Sequence, residues 1–278
     1  GITSTVSDKP DAYEYYLKGK FRYEKRKSLE DVEMGRGLLI RAISLDKNLI
    51  SARNILGWTY DDSGDHKKAI EIYEKSLSTA KKAKDKHGTM VTYGSMGVVN
   101  LNMGFLDNAL DFLKKQQAFA KELDDKYEFS AALGNRGYIY LQKADYKQAK
   151  ECFEKLRNIA EELDIQVWIA NSAGNMGLIH WRKGDYDRAM ECYQEQLDIS
   201  EELNDKPGIA HSTSNMGLIH KHMGDHELAI EFYERDLKIS KELGDKRGIS
   251  IALGNIGSAH DQCGEHKRAL ECFDKSIG

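Results

Sequence analysis

Hydrophobic residues recur at helical spacing in a two-helix pattern, which is clearest over residues 208–243. Ile209, Met216 and Ile219 place apolar side chains on one face of a first helix. Gly224 supplies the left-handed residue that closes this helix, and Asp225 is a natural N-cap for the next one. Asp65, Asp145 and Asp185 repeat this cap. The second helix is indicated by Leu228, Ala229, Phe232, Tyr233, Leu237 and Leu243.

This pattern repeats every 40 residues along the chain. One column of the repeat is glycine, at Gly57, Gly97, Gly137, Gly177, Gly217 and Gly257. A second column is alanine, at Ala69, Ala109, Ala149, Ala189, Ala229 and Ala269. A third column is aromatic or leucine, at Tyr73, Leu113, Phe153, Tyr193, Tyr233 and Phe273. A fixed period of this length predicts an all-α solenoid built from tandem helix pairs.

The glycine column lies inside the predicted first helix of each pair. A glycine there costs roughly 0.5–1 kcal/mol relative to alanine, so its presence needs a reason. We expect the reason to be close approach, with the glycine of the first helix facing the alanine twelve residues later in the second.

The residues Leu56-Gly57-Trp58-Thr59-Tyr60, followed by Ala69 and Tyr73, resemble the tetratricopeptide repeat. The segments SNMGLIH, GNMGLIH and GNIGSAH are similar to a longer Leu-Gly-Asn variant of that repeat, found in Pins-type G-protein-signalling modulators and, more loosely, in kinesin light chain. The N-terminal segment KPDAYEYYLKGKFRYEKR resembles the start of repeat arrays in bacterial signalling proteins. These resemblances imply a right-handed superhelix of helix-turn-helix units whose concave groove holds extended or helical peptides.

We expect one continuous array of about seven units, at residues 11–47, 48–86, 87–126, 127–166, 167–206, 207–246 and 247–278. The last unit is clipped, because Gly278 aligns with Lys238 and the register mates Ile239 and Leu243 have no counterparts. The sequence therefore predicts that the natural protein continues and that the open C-terminal end can self-associate.

Composition narrows the functional classes. The chain has 41 basic and 45 acidic residues, a formal charge of −4, which argues against nucleic-acid binding. No apolar run approaches the ~18 residues of a membrane span. The cysteines Cys152, Cys192, Cys263 and Cys272 form no CxxC pair, so we expect reduced thiols in a cytoplasmic protein. Catalytic and phosphate-binding motifs do not occur, and we expect neither enzymatic activity nor a cofactor.

Three histidines share a column, at His180, His220 and His260. Equivalent residues of stacked repeats lie about 8–10 Å apart, which is too far for three side chains to share one zinc ion. Tyr60 and Tyr140 occupy the same column. The sequence therefore predicts a half-buried packing position and no metal site.

Asparagine recurs two residues before the glycine, at Asn135, Asn175, Asn215 and Asn255. Two residues along a helix correspond to about 200°, so these side chains point away from the glycine seam. The resemblance implies that this position faces the groove and binds a peptide backbone. The alternative is that each asparagine bonds a neighbouring helix and only sets the stack.

Other residues on the predicted groove face are Asn171, Trp181, Arg182, His211 and Lys221. In the first repeat, Tyr13, Tyr16, Lys20 and Tyr23 either line the same groove or pack the end of the array. The basic residues would suit a peptide with acidic side chains.

The sequence thus predicts a protein–protein interaction scaffold that binds a peptide or partner segment, as a regulatory part of a larger signalling protein. The alternative is a module that senses a ligand or signal peptide and switches an attached catalytic or DNA-binding domain.

Overall fold

A computed structural model of the chain describes residues 7–26 and 28–277. Fourteen α-helices and no strand are formed within these ranges. They are α1 Pro10–Glu24, α2 Leu29–Leu45, α3 Ile50–Asp62, α4 His66–Lys82, α5 Lys86–Asn102, α6 Leu106–Glu122, α7 Lys126–Gln142, α8 Tyr146–Glu162, α9 Gln166–Arg182, α10 Tyr186–Glu202, α11 Lys206–Met223, α12 His226–Leu243, α13 Lys246–Gln262 and α14 His266–Ile277. The all-α fold predicted from the repeat is confirmed.

The chain divides into two compact halves, a first half of Gly1–Ile139 and a second half of Tyr140–Gly278. In the first half, α1 packs on α2, α3 on α4 and α5 on α6. Two apolar clusters hold these hairpins together, one around Tyr16, Leu39 and Ile55 and the other around Tyr73 and Val99.

In the second half, α9 packs on α8 and α10, α11 on α12, and α13 on α14. Its core is a series of small clusters, each made of an alanine and an aromatic residue from one hairpin and an apolar residue from the next. Ala189, Tyr193 and Ile219 form one of these, and Ala229, Tyr233 and Ile256 another. Each cluster joins one hairpin to the next, so the packing of the core repeats with the same period as the sequence. The single continuous array of about seven units stays a prediction.

The turns within hairpins follow the predicted chemistry with two differences. Gly224 has a φ of 90° and closes α11 in the left-handed conformation, as predicted. Ala144 takes the same left-handed conformation, with a φ of 56°. At the equivalent position of other described turns the residue is glycine, in Gly224 and in four further cases. Asp65, Asp145 and Asp185 accept bonds from the first turns of their helices. Asp225 is the N-cap residue of α12, as predicted, but its side chain forms no cap hydrogen bond.

The glycine column marks the predicted close approach of the two helices, and a Cβ atom on Gly217 would lie 3.2 Å from the backbone oxygen of Ala229. The nearest atoms, however, belong to the aromatic or leucine column. A Cβ atom on Gly177 would lie 2.8 Å from the ring of Tyr193, and one on Gly257 would lie 2.7 Å from the ring of Phe273. The aromatic or leucine side chain of each repeat therefore fills the space that the missing glycine side chain leaves open.

Candidate functional site

The asparagine column of the second half lies on three successive first helices, with Asn175 on α9, Asn215 on α11 and Asn255 on α13. All three side chains are half-buried. Within residues 7–26 and 28–277, none of these amides forms a hydrogen bond, and the same holds for the half-buried Asn135 on α7 in the first half. The bond to a neighbouring helix that the alternative interpretation requires is therefore not formed by these residues.

Arg182 and Trp181 form one stacked pair at the end of α9. The Arg182 guanidinium lies 4.8 Å from the centre of the indole ring and is exposed to solvent. Trp181 is half-buried, packs against the core cluster around Tyr193, and lies 6.0 Å from the ring of His222. Trp181 therefore stacks on Arg182 at the surface, and its ring also packs against the core cluster around Tyr193.

Lys221 joins two neighbouring first helices. Its Nζ atom lies 3.5 Å from the Oγ atom of Ser258, so this half-buried amine links α11 to α13. Of the two predicted basic groups, Arg182 is therefore the more available to a ligand.

Asn171 on α9 and His211 on α11 occupy one column, and both are exposed. The protein around His211 nevertheless lowers the pKa of its imidazole, through desolvation that outweighs the charge of Asp236.

Asp236 on α12 was missed by the sequence interpretation. Asp236 is 5% exposed, and its carboxyl group accepts hydrogen bonds from Ser214 and from Ser240, the latter at 3.1 Å. Burial raises the pKa of this carboxyl, and the hydroxyl bonds and His211 oppose that shift. The equivalent positions in other repeats include Gln116, Leu156 and Gln196. An acidic residue among these uncharged ones was the sequence signal that could have identified Asp236.

The histidine column behaves as the predicted packing position. His180, His220 and His260 each face the acidic residue five positions later, with Nδ1–carboxylate distances of 3.4, 3.6 and 2.7 Å. The ring of His220 also stacks on Phe232 at 5.3 Å. Among the described residues, no group of three His, Cys, Asp or Glu side chains is placed to hold a metal ion.

The tyrosines of α1 have two roles. Tyr16 and Tyr23 are buried in the first apolar cluster, as the end-packing alternative requires. Tyr16 and Lys20 also line a cavity in the first half, which the sequence interpretation did not identify.

None of the helices in the described ranges combines the length and the hydrophobicity needed to cross a membrane.

Two family models, both described as Tetratricopeptide repeat, match the chain. One matches residues 168–242 and 209–278, and the other matches residues 50–82 and 130–162. No curated protein sequence matches.

Solved structures are similar over nearly the whole chain. The apo form of RapI has a TM-score of 0.73 at 15% identity, covering 96% of this chain and 96% of that one. A Rap protein complexed with competence and sporulation factor has a TM-score of 0.70 at 16% identity, covering 98% and 75%. A signal transduction ATPase with numerous domains from Pyrococcus horikoshii, which has a tetratricopeptide repeat sensor, has a TM-score of 0.69 at 16% identity, covering 98% and 40%. At these identities the likeness concerns the fold, and it confirms the predicted array of helix-turn-helix units.

Proposed function

The chain belongs to the tetratricopeptide-repeat family, and we propose that it is an interaction scaffold whose second half binds an extended peptide segment of a partner protein. The proposed contact surface is the asparagine surface, defined as Asn175, Asn215 and Asn255 with the flanking Asn171, Trp181, Arg182, His211 and Lys221. Asn135 is the member of the same sequence column in the first half.

The observation that carries this proposal is the absence of hydrogen bonds to three equivalent amides within the described part of the second half. Asparagine costs up to ~0.7 kcal/mol in a helix interior relative to alanine. No internal bond repays that cost here. Each amide offers both a donor and an acceptor, which is the pairing that a peptide bond requires.

The spacing of the column supports an extended ligand. Neighbouring packed helices lie about 8–10 Å apart, and an extended chain advances ~3.3–3.6 Å per residue. Successive asparagines would therefore meet every second or third peptide bond. Backbone recognition of this kind tolerates different side chains, so sequence preference falls to the flanking residues.

Arg182 is the flanking residue best placed to select acidic side chains. Its guanidinium is exposed and held by the ring of Trp181, so less side-chain entropy is lost when it pairs with a carboxylate. Lys221 supplies a second positive charge, on α11. We propose a partner segment with at least one acidic residue, and a regulatory setting within a larger signalling protein, as in the ATPase whose sensor has this fold.

The test is an array of twelve-residue peptides probed with the purified chain. The array carries acidic, neutral and basic sequences, and the parent is compared with the double variant Asn175→Ala/Asn215→Ala. Asn158→Ala is the matched control, because Asn158 is an exposed asparagine inside α8 of the same half. We expect the control to bind the same peptides as the parent and the double variant to lose them. Equal binding by all three proteins would refute the proposal.

A further inference from the structure

We propose that the cavity of the first half is an anchoring pocket for one bulky apolar residue of a bound peptide, whose peptide bond pairs with Asn54. This inference rests on the proposed peptide-binding function and names the residue class that the first half selects.

The cavity has a volume of about 280 Å³ and lies between α1, α3 and α5. The apolar and aromatic part of its wall is formed by Tyr16, Ile50, Ile55, Trp58 and Val91. Trp58 is fixed in place because its indole N–H donates to Ser95 Oγ at 2.8 Å. A cavity of this size and lining takes one large side chain, and small-molecule sites are usually larger.

Asn54 gives the pocket its polar group. Its side chain lines the cavity and is only 2% exposed. One end of the amide is bonded to Ser76 Oγ at 2.7 Å and to Thr92 Oγ1 at 3.1 Å. In the described part of the chain the other end of the amide has no partner. The Nδ2 atom of Asn54 is not fully buried, so it remains accessible from the cavity and can donate to the carbonyl oxygen of a peptide bond.

This amide is specific to one hairpin. The column of Asn54 holds Gly94 and Gly174 in other repeats, and the space beside those glycines is filled by Gln116 and Gln196 from the following helix. In this hairpin the following helix carries the shorter Ser76 instead, and the first helix supplies the amide.

The charged groups at the cavity are already engaged. Lys20 and Glu24 form an ion pair at 3.7 Å, and both are largely exposed at the rim. Asp85 caps α5, since its carboxylate accepts the Gly88 N–H at 2.9 Å. Besides Asn54, the lining is completed by Ser51, His87 and Gly88. Apolar atoms still form the larger part of the cavity surface, so the pocket favours an apolar side chain over a charged one.

The test uses amino-acid residues blocked at both ends, which reproduce one residue of a peptide without terminal charges. The probes are N-acetyl-leucinamide, N-acetyl-phenylalaninamide, N-acetyl-lysinamide and N-acetylglycinamide, with 3-methylbutan-1-ol as an apolar group that lacks a peptide bond. Binding to the whole chain is read by ligand-observed NMR. We expect the leucine and phenylalanine amides to bind at least tenfold more tightly than the other three probes.

Two valines on α5 provide matched variants. Val91→Phe fills the cavity, whereas Val98→Phe makes the same change on the same helix at a half-buried position that does not line it. We expect Val91→Phe to lose the leucine and phenylalanine amides and Val98→Phe to keep them. Ser51→Phe fills the cavity from α3 and replaces Val91→Phe if thermal melting shows that variant to be unfolded. Asn54→Ala should weaken the amides and leave the alcohol unchanged.

Three results would overturn the pocket. They are equal binding of the lysine and leucine amides, unchanged binding in a folded cavity-filled variant, and an alcohol that binds as well as the amides. None of these results depends on Asn175 or Asn215. If the array experiment succeeds and the blocked residues fail, only the pocket is refuted, and the reverse outcome refutes only the proposed function.

Discussion

Arg157 on α8 and Glu195 on α10 form a two-point ion pair, with Nη1–Oε2 and Nη2–Oε1 distances of 2.9 and 2.6 Å. The Nε atom of the same guanidinium also bonds Glu161 at 2.8 Å. These carboxylates raise the pKa of Arg157. The pair joins the second helices of two successive hairpins, and its parallel geometry requires arginine because a lysine cannot present two fixed donors.

Arg157→Lys should therefore lower the free energy of unfolding although it keeps the charge. Both partners are about one third exposed, which limits the expected loss to about 0.5 kcal/mol. Urea denaturation at low and high salt measures the change. Arg188→Lys is the control, because Arg188 reaches only Asp185 of its own turn at 3.6 Å and should give no change.

Two glycines in the second half should respond to alanine with opposite signs. A Cβ atom on Gly217 would lie 2.8 Å from the ring of Tyr233 and 3.2 Å from the backbone oxygen of Ala229. Gly217→Ala should destabilise the fold by about 1–3 kcal/mol through overpacking. Gly254 lies inside α13 and has nothing within 4 Å of the same atom, so Gly254→Ala should stabilise by about 0.5–1 kcal/mol. Thermal melts that moved in the same direction would contradict this account of the seam.

Asn175→Ala/Asn215→Ala should keep or slightly raise the melting temperature, because alanine is the better helix former and no described internal bond is lost. Binding of peptides from the array should weaken by about 1–3 kcal/mol, the cost of unpaired backbone groups on the ligand. A titration of one array-selected peptide, read by calorimetry, measures this loss. A double variant that melts well below the parent would show that the column is structural.

Arg182→Glu should change which peptides are bound and leave stability within about 0.5 kcal/mol, since the side chain is exposed. We expect acidic sequences to lose binding on the array and basic ones to gain it. Arg188→Glu is the control, as Arg188 is exposed on α10 and lies outside the asparagine surface. The same shift in both variants would indicate a general charge effect.

Asp236→Asn should stabilise the folded chain at pH 7.5 and not at pH 4. Burial raises the pKa of Asp236 in the folded state, so the folded chain binds this proton more tightly than the unfolded chain, whose aspartate pKa is about 3.9. Stability is therefore lost as the pH rises through the raised pKa, and the asparagine removes that loss. Urea denaturation of parent and variant at both pH values tests this.

A pH-independent difference would contradict the role of the carboxyl. His211 adds little positive charge at pH 7.5, because desolvation lowers the pKa of its imidazole.

Much of the fold can be predicted from the sequence because the main features of each repeat are determined by residues that are close together in the chain. The helix periodicity, the left-handed Gly224 and the close approach at the glycine column depend on residues of a single hairpin, and the structure has all three. The ring that lies nearest the glycine was not predicted, since a repeat pattern gives spacing along the chain but not the direction of a side chain across the seam.

The candidate sites were predicted less well because they depend on several helices at once. Asp236 is buried by α11 and α12 together, and its hydroxyl partners carry no sequence motif. Asn54 leaves a cavity only because the residue on the following helix is as short as Ser76. The asparagine column was found because it repeats. A feature that occurs in one repeat alone has no such signal.

The contact between Gly217 and Tyr233 also has a consequence for how the chain folds. The two residues are sixteen positions apart, so the seam closes a short loop at low entropic cost. The contacts within a hairpin and those to the next repeat are both local in the sequence, which gives the low contact order that is typical of fast-folding helical proteins. During synthesis the ring of a hairpin therefore needs only its own glycine and the next repeat, and no segment made much later, to complete its packing.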